Sequence, residues 1–272
     1  MPSFVRTGLA ACLLALAFAP PAQAIFVNGG FEQNGYGGWS VGGGSNPGLS
    51  GAPPFTSASV QIVGSTPGPA SVVGAVSDPR APGIVLPRAG QYTAKVNDEA
   101  TGAQLTRLSQ IDTVTAADID PADGKPHIRF AYAPVMDDPG HAPAEQPYFY
   151  VAVRLVADGS VLFEQFAYSG QPGVNYQPGS GSWKYLPFQD VDVTLPANAV
   201  GQQVELVVIA ADCSLGGHGG YVYVDGFGSS QVGGGGGVGA VPQEVPALDG
   251  AGLALLAGLI AVAGWLSTRR AA

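Results

Sequence analysis

Cysteine, histidine and charge are all scarce in this 272-residue chain. Its two cysteines are Cys12, inside an apolar N-terminal segment, and Cys213. A single thiol in the body of the chain leaves no disulfide framework, and an unpaired thiol in an exported protein is expected to be buried. Charged residues make up 11% of the chain, and basic ones are the rarer kind. From Ile25 to Pro246 there are 8 Lys and Arg against 19 Asp and Glu, a net of −11. A nucleic-acid groove needs the opposite sign. Acidity of this kind suits calcium, neutral ligands or solubility outside the cell.

Catalytic motifs are missing as well. There is no Gly-x-Ser-x-Gly elbow and no His-Glu-x-x-His. The glycine runs at Gly42–Gly44 and Gly233–Gly237 lack the Lys and Ser/Thr of a phosphate loop. The histidines are His127, His141 and His218. Cys213 and His218 share a Gly-rich loop; this reads as a buried thiol and a hydrogen-bonded imidazole pinning the loop, ahead of a Cys-His nucleophile pair. Zinc there would need two further N or S ligands, and the other histidines are distant in sequence. Asp118, Asp120 and Asp123 resemble a calcium loop, but Arg129 stands where the closing Glu belongs, so a solvated turn is expected.

Glycine (41) and proline (23) are abundant instead, and no stretch from Ile25 to Val232 keeps a helical period. A strand and turns are expected over Ile25–Tyr36 and a surface loop over Ser40–Thr56. Strands are predicted at Ala58–Val63, Gln91–Val96, Gln104–Ile111, His127–Ala133, Tyr148–Val156, Val161–Tyr168, Trp183–Phe188, Asp190–Leu195, Gln203–Ala210 and Gly220–Phe227. Alternation is clean in several: Phe149, Val151, Val153 and Leu155 face one way, Tyr148, Tyr150, Ala152 and Arg154 the other. About ten short strands separated by turns imply an all-β protein with a single antiparallel β-sandwich, of jelly-roll type.

The two ends read differently. Residues 1–24 carry Arg6, an apolar run and Ala22-Gln23-Ala24, which is the pattern of a signal peptide cleaved after Ala24. Leu9-Ala10-Ala11-Cys12 matches a lipoprotein box, but most of the apolar run follows the cysteine, so cleavage after Ala24 is favoured. The sandwich is expected over 25–230, and a Gly-rich flexible linker over 231–244. In 245–272, Val245-Pro246-Ala247-Leu248 precedes an uncharged span and Arg269-Arg270. The 19 residues between Asp249 and Arg269 would span roughly 28 Å as a helix, close to a bilayer core. The arginines sit where the positive-inside rule keeps them cytoplasmic. This tail resembles the PEP-CTERM and IPTL-CTERM sorting tails of Gram-negative surface proteins, although Asp249-Gly250-Ala251-Gly252 departs from the second family's pattern. The resemblance implies a transmembrane helix and recognition by a sorting or processing membrane enzyme. The chain is thus expected to be exported and then held at the inner membrane or sorted to the cell surface.

Asn28-Gly29-Gly30-Phe31-Glu32 with Gly38-Trp39, Gly90-Gln91-Tyr92, and Tyr223-Val224-Asp225-Gly226 resemble the opening, middle and closing motifs of galactose-binding-like jelly rolls. That superfamily includes bacterial carbohydrate-binding modules. The resemblance implies one structural calcium ion between Glu32 and Asp225, with backbone carbonyls from the loop around Arg88–Gly90. The span Ala211–Asp225 is similar to uncharacterised surface domains of adhesion and gliding-type proteins.

Aromatic residues supply the ligand-face candidates. Tyr148 and Tyr150 oppose the apolar face of their strand, and Trp183 and Tyr185 share a side of theirs, as do Tyr221 and Tyr223. Sugar rings stack on such side chains through their C–H faces, although half-buried sandwich positions favour the same residues for packing. Two functions stay open on the sequence alone. One is a non-catalytic module binding a glycan or exopolysaccharide through Trp183, Tyr185, Tyr148 and Tyr150. The other is a structural or adhesive surface protein working through protein or extracellular-matrix contacts.

Overall fold

A computed structural model describes residues 25–230. The signal peptide, Gly-rich linker, Val245–Leu248 motif, transmembrane span and terminal arginines expected above lie outside the described residues. Among the described residues no helix is long and apolar enough to cross a membrane.

Thirteen strands are present: β1 Ser40–Ser45, β2 Ala70–Val73, β3 Thr93–Val96, β4 Gln104–Thr113, β5 Ile119–Asp120, β6 Lys125–Asp137, β7 Tyr148–Leu155, β8 Val161–Tyr168, β9 Gln177–Pro178, β10 Trp183–Tyr185, β11 Gln189–Thr194, β12 Gln203–Ala211 and β13 Gly220–Gly228. They form two antiparallel sheets. The five-stranded sheet runs β1-β4-β12-β7-β8; the other runs β2-β3-β13-β6-β10-β9, with β5 and β11 also paired to β6. The protein is an all-β antiparallel sandwich, as the alternating segments imply.

Several expectations are corrected. Ala58–Val63 is not a strand: Ser57–Ser59 is a 3-10 turn capped by Thr56, and Val63 makes only an isolated bridge to Ser45. Ile25–Tyr36 holds no strand either. Its first amides bond side chains instead, with Ile25 N donating to Asp118, Phe26 N to Asp112 and Val27 N to Gln110. The Ser40–Thr56 segment starts as β1, which pairs along its whole length with β4. Its glycines hide it from propensity arguments, yet Gly43 is required: a Cβ there would lie 2.0 Å from the Leu105 carbonyl oxygen. β2 went unnoticed because four residues are too few to show a period.

Apolar side chains fill three layers rather than one. Between the sheets lie Leu108, Phe149, Val151, Val153, Leu206 and Val208 from one side and Val96, Ile128, Phe130, Met136, Val222 and Val224 from the other. Phe26, Phe31, Trp39 and Phe227 extend this layer as a tilted and edge-to-face ring cluster. A second layer sits outside the five-stranded sheet, where Leu49 and Phe55 of the 46–60 loop cover Leu105, Tyr148, Tyr150, Tyr168 and Ile209. The third lies outside the other sheet, where Ala81, Ile84 and Leu86 cover Val135, Trp183, Tyr185, Tyr221 and Tyr223.

Candidate functional site

The four aromatic candidates all lie inside those outer layers. Trp183 is 6% exposed, Tyr185 9%, Tyr148 0% and Tyr150 1%. Alternation correctly put Tyr148 and Tyr150 on the face opposite Phe149, but the 46–60 loop closes over that face. Tyr148 stacks on Phe166 at 5.5 Å, and Trp183 packs on Tyr221 at 5.7 Å beneath Arg80. The two pairs also sit on opposite outer faces of the sandwich, because β7 and β10 belong to different sheets. The expectation of one exposed stacking platform is therefore corrected. These rings are packing residues under loops.

The five-stranded sheet is only partly covered. Its register stacks outward-facing rows across β4, β12, β7 and β8. The rows Leu105–Ala211–Tyr148–Tyr168 and Arg107–Ile209–Tyr150–Phe166 run toward the loop. Beyond them come Ser109–Val207–Ala152–Glu164 and then Ile111–Glu205–Arg154–Val161. This outer half is a charged shelf. Arg107 pairs with Glu205 and bonds Ser109 Oγ at 2.7 Å. Arg154 Nη2 donates to the Tyr150 hydroxyl at 2.5 Å, and that hydroxyl lies 3.2 Å from exposed Glu164. Arg154 Nε is buried without a partner, while Ile111 and Val161 are about half exposed at the margin. Two guanidinium forks, two carboxylates and nearby apolar edges are the means by which a shallow polar ligand is held. Sequence reasoning missed Arg107, Glu164 and Glu205. The available signal was Arg154, already placed by alternation beside Tyr150.

No protein-family model and no curated protein matches this chain. Among solved structures, it is similar to the Caldicellulosiruptor saccharolyticus CBM27-1 in complex with mannohexaose. Identity is 13%, with 60% of this chain and 84% of that one covered, at a TM-score of 0.33. It is also similar to CBM28, a carbohydrate-binding module specific for non-crystalline cellulose. There identity is 11%, with 74% and 92% covered, at a TM-score of 0.34. At TM-scores this low neither likeness assigns this chain a ligand.

Glu32 and Asp225 do meet the same loop. Glu32 accepts from Gln91 N at 2.9 Å and from Tyr92 N at 3.3 Å; Asp225 Oδ2 accepts from Ala89 N at 3.0 Å and Thr93 Oγ1 at 2.8 Å. Gly90 stands between them at φ +62°, and a Cβ there would lie 2.1 Å from Glu32 Oε1. Asp225 is fully buried, and its Oδ1 has no hydrogen-bond partner. Burial pushes its carboxyl up to about 7, with the charge of Glu32 adding to the effect. A buried carboxylate with a free oxygen, a second acid nearby and no paired lysine or arginine is a site short of positive charge. The residues fit an oxygen-seeking cation.

At the far end of the second sheet, the acidic turn read from the sequence is an ion-pair network. Arg129 bridges Asp120 at 2.6 Å and Asp192 at 2.8 Å, while His127 bonds Asp192 through Nδ1 and Asp123 through Nε2. Burial opposes the imidazolium, but the hydrogen bonds to Asp192 and Asp123 outweigh it and raise the His127 pKa. The sign follows from linkage: a raised folded-state pKa adds stability that is whole below the unfolded value of about 6.5 and vanishes above the folded value. His127→Gln should therefore cost most near pH 5.5 and progressively less toward pH 9. Urea midpoints of parent and variant across that range check this, and an equal difference at every pH would contradict it.

Proposed function

We propose that the chain is an exported, membrane- or surface-anchored, non-catalytic binding module of galactose-binding-like type. Its ligand is a neutral glycan or exopolysaccharide, and its site is the open half of the five-stranded sheet. The supporting observation is the shelf of Arg107, Arg154, Glu164 and Glu205 beside exposed Ile111 and Val161. Vicinal hydroxyls match guanidinium forks and carboxylate oxygens, and sugar C–H faces match the apolar margin. The excess of acid over base along residues 25–246 argues against polyanions. Export and tethering rest on the two ends of the sequence, including recognition of Val245–Leu248 by a sorting enzyme. A site this shallow would bind in the ~μM to mM range, since a wet sugar gives up well-made water contacts.

Deleting Val245–Ala272 should release the protein from the cell envelope. The released protein should be retarded in native gels containing neutral polysaccharide or the producing cell's own matrix. Arg107→Ala and Arg154→Ala should each weaken retardation by about tenfold, the scale of one lost charged hydrogen bond. Trp183→Ala should lower stability without changing retention per folded molecule. Undiminished envelope association of the truncated protein would overturn the tether. No retention by any polysaccharide would replace the glycan reading with the structural or adhesive one.

The same reading includes one structural calcium ion at Glu32 and Asp225. Calcium takes six to eight oxygens. The loop here turns the Ala89, Gln91 and Tyr92 amides, rather than the expected carbonyls, toward the two carboxylates, so water and a reoriented loop carbonyl would complete the set. Calcium at a hundredfold excess over its dissociation constant adds about 2.7 kcal/mol, or roughly 5–10 °C in melting temperature for a domain of this size. Asp225→Asn, which keeps the shape of the side chain, should abolish that shift. Identical melting in chelator and in millimolar calcium would contradict the assignment.

A further inference from the structure

Three chain crossings meet at one end of the sandwich. The segments after β3, after β6 and after β12 each pass from the eight-stranded to the five-stranded sheet or back. The β12–β13 crossing is closed by Cys213 N donating to the His218 carbonyl at 2.9 Å, with Gly216 N bonding the Cys213 carbonyl at 3.0 Å. The β6–β7 crossing is held against it by Ser214 N donating to the Glu145 carbonyl at 3.1 Å. Buried Gln146 fixes that second crossing from inside, its Nε2 donating to the His141 carbonyl and to Asp138. Asp212 locks the base of the first by accepting from Asn97 Nδ2, Gln104 N and Gly220 N.

This folding brings His141 to Cys213 and His218, which share one loop far from it in sequence. Cys213 Sγ is 3.6 Å from His218 Nδ1, and the His141 and His218 rings meet edge to face with centroids 5.0 Å apart. One donor atom from each of His141, Cys213 and His218 lies within 4.8 Å of the others. Zinc–nitrogen bonds of about 2.0–2.1 Å and zinc–sulfur bonds of about 2.3 Å place neighbouring donors of a tetrahedron roughly 3.3–3.6 Å apart. The Cys213–His218 spacing already has this value. A plain thiol–imidazole hydrogen bond would account for that one contact but not for His141, whose Nδ1 is buried with no partner. Calcium and magnesium prefer oxygen, whereas a thiolate with two imidazoles suits zinc.

We propose that His141, Cys213 and His218 form a zinc site that clasps the β6–β7 crossing to the β12–β13 crossing. It is separate from the Glu32–Asp225 pair and does not depend on any glycan ligand. Three protein donors leave a fourth position, and since both imidazoles are part exposed, that position falls to water or an external donor. Coordination also ties up the only thiol among the described residues.

The test uses the reduced full-length chain in millimolar calcium. Zinc should bind at one equivalent per chain and resist displacement by calcium. Cobalt in its place should give a thiolate-to-metal charge-transfer band. Cys213→Ser should remove the band, and both it and His141→Gln should weaken zinc binding by at least about tenfold. Cys213 is fully buried and its variant risks misfolding, so His141→Gln, at a part-exposed loop position, decides the matter. Failure to retain zinc, a cobalt complex without the thiolate band, or unaltered affinity in His141→Gln would each overturn the proposal. So would an intense visible copper–thiolate band in a protein that holds no zinc.

Discussion

Each sheet of this sandwich carries large apolar side chains on both faces, and the need to cover those on the two outer faces shapes the rest of the molecule. Facing sheets bury only their inner sides. Here Tyr221, Tyr223, Trp183 and Tyr185 crowd one outer face, and Tyr148, Tyr150, Tyr168 and Ile209 the other. Two irregular segments close them, and each is anchored by polar side chains rather than by strand pairing. On the larger sheet the anchor is Asp78, buried, accepting from the Tyr221 and Tyr223 hydroxyls at 2.7 and 2.8 Å and from Arg80 N and Ala81 N. Burial, reinforced by Asp78, drives both tyrosine pKa values far up, so these hydroxyls stay donors. On the smaller sheet Asn46 ties its segment to the Asp212 carbonyl, and Leu49 N bonds the Ala144 carbonyl.

One continuous lid from Asp78 to Tyr92 joins the packing to the metal question. Asp78 pins its start, while Asp225 and Glu32 accept from the amides of Ala89, Gln91 and Tyr92 at its finish. Carboxylates thus hold both ends of a loop whose middle is apolar. On the other sheet the covering segment stops halfway across, which is why Arg107, Arg154, Glu164 and Glu205 reach the surface there. The proposed recognition face is the half of a sheet that its loop does not reach.

The strands were legible where packing imposes a period on the side chains. Val161–Tyr168 has the predicted limits, and β7, β12 and β13 differ from prediction by one residue. β1 was not legible, since Ser-Val-Gly-Gly-Gly-Ser is chosen for close backbone approach rather than side-chain burial. The lids escaped for a related reason: Leu49, Phe55, Ile84 and Leu86 are isolated apolar residues in Gly- and Pro-rich stretches, and a covering loop has no repeat to reveal it. This is also why Trp183 and the tyrosines looked exposed. Alternation assigns a side chain to a face but does not say what lies above that face. That Glu32 and Asp225 approach the same loop was anticipated through motif resemblance. The approach of His141 to Cys213 and His218 was not, because only the crossing of two sheets brings the 71 residues between His141 and Cys213 back on themselves.

The covering of the outer faces by pinned loops is tested most directly by hydrogen exchange in Asp78→Ala. Removing that carboxylate strands two tyrosine hydroxyls and two amides, each costing about 1–3 kcal/mol if it stays buried. Amides of residues 79–88 should then exchange far faster than in the parent, while β7 and β12 in the other sheet keep their protection. Asp78→Asn, which retains an acceptor, should fall between the two. Unchanged protection of residues 79–88 in Asp78→Ala would contradict the account.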